Sequence, residues 1–144
     1  MITVDDLLAG LLAFAQSAAV ASINADPTVW NFYKESFDLS EAGKSSVTAF
    51  FVGGQGSVRS AVDKLTFNII LASTNYSTAR QAALDLYGAL NGLFDLLSTD
   101  VAKSGYNGHW ACDPPAAIPF DQVPEGMTHV FFFTLPAQTL AEIR

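Results

Sequence analysis

The sequence predicts an α+β domain: a four-stranded mixed β-sheet with two main helices packed on one face, in the order helix, strand, strand, helix, strand, strand. Three observations carry this. The stretch 64–97, KLTFNIILASTNYSTARQAALDLYGALNGLFDLL, passes from the period of a strand to that of a helix. Residues 3–24 carry a second broad apolar face at helical spacing. SVTAFFV at 46–52 and THVFFFT at 128–134 are short apolar runs rich in β-branched and aromatic residues, as buried strands are. At 144 residues the whole chain, 1–144, is expected to form a single domain with a core that needs neither metal nor disulfide.

The first helix is expected over 3–24. Thr3 can cap it, and Asp5 and Asp6 favour its positive end. Leu7, Leu8, Leu11, Leu12, Ala15, Ala18, Ala19 and Ile23 form the apolar face, and Asp26-Pro27 ends the helix. Residues 27–45 hold Trp30, Phe32, Tyr33, Phe37 and Leu39 without a clean period. They read as an extended segment with the character of a hairpin arm, either packed on its own core or reaching a neighbouring subunit. After the strand 46–52, Gly53-Gly54-Gln55-Gly56-Ser57 reads as a mobile loop. It is no phosphate cradle, because neither Gly-Lys-Ser/Thr nor a helix start follows.

In the central stretch, Leu65, Phe67, Ile69 and Leu71 alternate with their neighbours as a strand. Ser77 or Thr78 is the expected cap of the next helix, with Gln81 closing a capping box on Thr78. Ala79, Ala82, Ala83, Leu86, Leu90, Leu93, Phe94 and Leu97 fall on its apolar face. Leu65, Phe67, Ile69, Leu86 and Leu90 are expected to meet between sheet and helix. Tyr76, at the handover, reads either as loop packing or as a contact with a neighbouring chain. Residues 98–108 read as a polar linker, and 109–112 as the start of a short strand stopped by Asp113-Pro114-Pro115. Residues 116–126, with Pro119, Pro124 and Gly126, read as an extended connection or a strand with breaks. The last strand is expected over 127–135, ended by Pro136, with Thr139 and Glu142 boxing a short final helix.

Half of the residues are hydrophobic and 15% charged, an apolar excess that fits either burial against other chains or a large internal core. The net charge is -7, and the seven basic residues are scattered singly. No basic stripe exists to neutralise phosphates, so DNA would pass such a surface without being gripped. Residues 7–20 are preceded by acids and interrupted by Gln16 and Ser17, which suits a buried helix and not a signal peptide or membrane span. Cys112 is the only cysteine, which excludes an intramolecular disulfide. His109, Cys112, Asp113 and His129 are too sparse and wrongly spaced for a structural zinc. No serine sits in a nucleophile elbow, and nothing orients Cys112 against either histidine. No catalytic, cofactor-binding or metal residue is therefore assigned, and no cofactor is expected.

Residues 65–90, with Leu-Thr-Phe-Asn-Ile-Ile-Leu-Ala-Ser and then Asn-Tyr-Ser-Thr-Ala-Arg-Gln-Ala-Ala-Leu-Asp-Leu-Tyr-Gly-Ala-Leu, resemble the strand–loop–helix of tail terminator proteins of long-tailed bacteriophages, also described as tail completion or minor capsid proteins. Asp113-Pro114-Pro115 through Pro119-Phe120-Asp121, Gly126, the strand 128–135 and the first helix agree in place. The segment Trp30–Phe37 is longer and more aromatic than that pattern, and the last strand lacks its opening basic residue. The resemblance implies a non-enzymatic virion protein. It would form a homo-oligomeric ring, a hexamer in that family, on the head-proximal end of the tail tube. Its partners would be the tail tube protein and the head–tail connector or stopper, with DNA passing through unbound and no membrane involved. Another head–tail joining protein of the neck is the neighbouring alternative, and a small ligand-binding or enzymatic α+β domain the more distant one. Trp30, Phe32, Tyr33, Phe37, Gly53, Gly54, Arg59 and Tyr76 are the candidate contacts between subunits or with partners, because a compact monomer would use them poorly.

Overall fold

The computed structural model describes residues 3–35, 45–55, 62–94, 96, 109–118 and 130–142. Helix α1 spans Val4–Ala15. Thr3 caps it as expected: Asp6 N–H donates to Thr3 Oγ1 at 3.1 Å, and Thr3 N–H donates back to Asp6 Oδ2 at 2.9 Å. The predicted helix over 3–24 breaks after Ala15. Ser17 turns its hydroxyl onto the Phe14 carbonyl at 2.6 Å, a local bond that competes with the helical ladder. A single turn, α2 (Ala21–Asn24), resumes with Ile23 buried.

A 3-10 turn at Pro27–Val29 leads into β1 (Trp30–Lys34). β1 runs parallel to β2 (Ser45–Gln55), with Trp30 opposite Ser45 and Phe32 opposite Val47. A hairpin arm would require antiparallel pairing, so that expectation is corrected. Trp30 and Phe32 share the core-facing side of the pleat; Tyr33, aromatic but on the other side, blurs the period of two.

β2 runs through Gly53, Gly54 and Gln55, where a loop was expected. Its register to the antiparallel β3 (Val62–Ser73) shifts between Phe51 and Gly53, a bulge at Val52. Gly54 belongs to the strand's packing: a Cβ there would lie 2.8 Å from Leu65 Cδ2 and 3.1 Å from the Lys64 carbonyl.

α3 spans Tyr76–Leu90. Its cap is Asn75, not Ser77 or Thr78. The Asn75 side-chain oxygen accepts from Ser77 N–H at 2.9 Å and Thr78 N–H at 3.3 Å. The helix stops at Asn91, and Gly92, with φ +83°, takes the left-handed conformation that commonly ends helices. Leu93 and Phe94 therefore leave the helical face assigned to them.

β4 (Trp110–Cys112) and β5 (Ala116–Ala117) both pair with β6 (Phe131–Glu142). β6 continues through Pro136 to Glu142, which overturns both the predicted stop at Pro136 and the final helix. The physical reason lies in the neighbours. The Pro136 carbonyl accepts from Asp113 N–H, so the missing Pro136 N–H faces the gap between β4 and β5, not β3. Proline removes a donor where no strand is waiting for it.

Among the described residues the sheet is thus six-stranded and mixed, in the order β1-β2-β3-β6-β4 with β5 also on β6. The predicted four strands omit β1, blurred by its aromatics, and β5, too short to show a period. α1 lies against β1 and β2, and α3 against β3, β6 and β4. Both feed one core with Val47, Leu65, Phe67, Ile69, Leu71 and Leu135. All of these strand residues share one pleat side, so the helices cover a single face. Leu65, Phe67, Ile69, Leu86 and Leu90 meet there as expected.

Leu86 is 1% exposed. Leu86→Ala is expected to lower stability by about 2–5 kcal/mol in reversible denaturation, through lost burial plus the cavity left behind. A change near zero would contradict this packing.

Candidate functional site

The predicted contact residues do not form one patch. Trp30 is 5% exposed and its ring sits in the core, correcting the expectation that a monomer uses it poorly. Phe32 packs half-buried beside it, while Tyr33 lies half-buried on the outer face, opposite the one that α1 and α3 cover. Tyr76, 47% exposed, stands at the N-terminus of α3, its ring 5.5 Å from Phe131 and 5.4 Å from Phe133. That is the end of the sheet where Ser45 and Ser73 hydroxyls bond at 2.9 Å. Gly53 and Gly54 lie towards the other end of β2, roughly 30 Å away along the strand at the usual rise per residue. Phe37 and Arg59 fall outside the described residues.

Around Gly53 the structure builds a feature that the sequence did not announce. The bulge places Val52 and Gly53 together opposite Thr66, on the outer face. With Gly54, Lys64, Thr66 and Gln138 they line an open depression of about 300 Å³. Gly53 contributes no side chain, and a Cβ there would meet nothing within 4 Å. Val52, 63% exposed, and the stem of Lys64 give the depression apolar walls; Thr66 and Gln138 give it a polar floor. The glycine pair was the only sequence signal for it.

The far edge of the sheet carries a second exposed feature. Gly92 N–H donates to the Trp110 carbonyl at 2.8 Å, and Trp110 N–H donates to the Leu93 carbonyl at 3.0 Å. Phe94 then bridges to His109, and the two rings stack at 4.6 Å and 27°. Phe94 is 66% exposed. Helical periodicity had hidden it by assigning it to the core.

The residues considered for chemistry stay apart. His109 stacks on Phe94, and Cys112 is half-buried with its N–H on the Asn91 side-chain oxygen at 3.0 Å. His129 lies outside the described residues. Among the described residues no three His, Cys, Asp or Glu gather to hold a metal, and no helix is long and apolar enough to cross a membrane. Burial, and secondarily the Asp113 carboxylate, push the Cys112 thiol from 9.0 up to about 11.

No known protein family matches the chain, and neither does any curated protein. Among solved structures, a chain of the virion of a native gene transfer agent (GTA) particle superposes with a TM-score of 0.50 at 18% identity, covering 92% of this chain and 98% of that one. This chain has that virion chain's fold. The shared fold spans nearly the whole of both chains, so it is the architecture as a whole that agrees and not an embedded motif.

Two expectations follow. Trp30→Asp puts a carboxylate among core side chains, and should unfold or strongly destabilise the monomer, by about 3–5 kcal/mol or more, in thermal or chemical denaturation. A folded monomer of unchanged Tm would contradict the placement of the ring. Cys112 should alkylate slowly at neutral pH, its rate climbing only as pH nears 11. Between about pH 9 and 11 the unfolded chain sheds the thiol proton that the folded chain retains, so this group's contribution lowers stability as pH rises through that window. Rapid labelling of the folded protein at pH 7 would refute the assignment.

Proposed function

We infer that this protein is a structural component of a phage-like virion, acting as a tail terminator: a ring of identical subunits at the head-proximal end of the tail tube. The observation that carries the reading is the shared fold with a chain of a gene transfer agent virion, over 92% of this chain and 98% of that one. The resemblance of residues 65–90 and 113–135 to tail terminators supports the narrower role. So does the composition, apolar by half yet acidic by -7, with basic residues scattered singly. An acidic wall repels phosphates, so DNA slides past instead of binding. In this role the ring ends tube polymerisation and joins the tail to the head connector. It needs no cofactor and performs no catalysis. The subunits form a hexamer, and the partners are the tube protein on one side and the connector or stopper on the other. Of the contact residues first assigned, Tyr76 and the Gly53–Gly54 segment lie where a partner can reach them.

Particles made without this protein should carry tails of irregular length, or tails detached from heads, in electron micrographs. Supplying it should restore a uniform length, with a ring of this chain on the tube end. Tails of normal length and attachment in its absence would overturn the terminator reading. A protein that stays monomeric with and without tubes, or that binds duplex DNA at physiological salt, would overturn the ring.

A further inference from the structure

The two exposed features at Phe94 and around Gly53 fit each other. We propose that Phe94 of one subunit inserts into the Val52–Gly53–Lys64 depression of the next copy of this chain, as the head-to-tail contact that builds the ring. The inference rests on the ring reading and names the surfaces that would join its subunits.

Phe94 has the character of a knob. It is a large aromatic, 66% exposed, and it is held rather than loose: its ring stacks on His109, and its backbone is tied to the β4 edge by the Gly92 and Trp110 bonds. Pre-ordering lowers the entropy lost on docking, and exposed aromatics of this kind dominate interface energetics. The depression has the character of a hole. Its volume of about 300 Å³ has room for a phenyl ring, and Gly53 leaves open the space where a side chain would stand. Val52, 63% exposed, offers an apolar wall. Lys64 lines the other side; it forms no ion pair among the described residues, and its ammonium suits the electron-rich face of an aromatic ring. The hole thus matches the knob in size, apolar character and charge.

The relative positions decide the kind of contact. Phe94 stands beyond β4 at one edge of the sheet, while the depression lies across β2, β3 and β6. Knob and hole are separated by about three strand spacings, roughly 14 Å. Used head to tail, and not exchanged reciprocally between two copies about a two-fold axis, the contact leaves each new subunit with a free knob or a free hole. Such a contact propagates, and closes into a ring when the rotation per subunit divides the circle.

The test uses two variants that leave the fold alone. Phe94→Ala trims an exposed ring, and Gly53→Leu fills the depression at a position where a Cβ meets nothing within 4 Å. Circular dichroism and Tm confirm that both fold. Self-association is then read by sedimentation of the full-length protein at high concentration and by ring formation on tail tubes. Each variant should lose at least tenfold in association. Mixed together, the knobless and the holeless chains should form a one-to-one pair that grows no further, since one intact contact remains. If wild-type rings form and either variant assembles normally, or if the mixture gives no pair, this contact is wrong and the ring reading stands. If the wild type itself forms no assembly alone or on tubes, both are wrong.

Discussion

The ladder between β3 and β6 is the constraint on which the rest of the molecule depends. It pairs Val62 with Glu142 at one end and Ser73 with Phe131 at the other, without a break in register. Because a one-residue slip would turn every side chain to the opposite face, this ladder fixes which residues form the core. Leu65, Phe67, Ile69 and Leu71 on β3 then stand beside Thr139, Ala137, Leu135 and Phe133 on β6. α3 can dock on that surface because Ala79, Ala82 and Ala83 let its backbone come close, while Leu86 and Leu90 fill the space between. The outer strands add themselves to an already specified surface.

The same ladder explains the irregularities at its flanks. β6 tolerates Pro136 because its lost donor falls at the break between β4 and β5, where Asp113-Pro114-Pro115 departs from the sheet. β2 tolerates Gly53 and Gly54 because the bulge at Val52 has shifted the register there, and the Leu65 side chain occupies the space beside Gly54. The bulge opens the depression on the outer face, and the Phe94–His109 stack stands separately, at the start of β4 on the edge turned away from β6. The features able to engage a partner thus sit where the sheet's regularity fails, as bulges and edges commonly do.

What the sequence revealed and what it concealed divide along the same line. Where period and burial agree, reading was straightforward: Leu65 to Leu71 alternate, Ala79 to Leu90 keep helical spacing, and Thr3 with Asp6 form a cap at the expected place. Reading failed where one residue outweighed a pattern. Pro136 read as a stop, since its neighbours across the sheet are invisible in a linear string. Gly53-Gly54 read as a loop, since nothing local indicates that Leu65 packs beside Gly54. Leu93 and Phe94 continued the helical period by coincidence, and only the left-handed Gly92 takes them off the helix. Trp30 drew attention as a bulky aromatic in an irregular segment, yet its partners, reached through a parallel crossover, hold it in the core. The candidate contacts depended most on such long-range facts and were therefore least legible.

One-sided coverage by helices has a consequence for assembly. A domain whose helices occupy one face offers the other face, together with its edges, to its surroundings. The outer face here is not uniform. Thr48, Ala72 and Phe132 are buried at the Tyr76 end, whereas Val52 and Lys64 at the opposite end are exposed. A contact that used the whole face symmetrically would need matching surface on both ends, which this gradient does not provide. A contact that used the open end of the face against another part of the molecule needs only one hole and one knob. In the proposed ring the open end of this face meets a different part of the next subunit, and closure satisfies every subunit where an open filament would leave two unsatisfied ends.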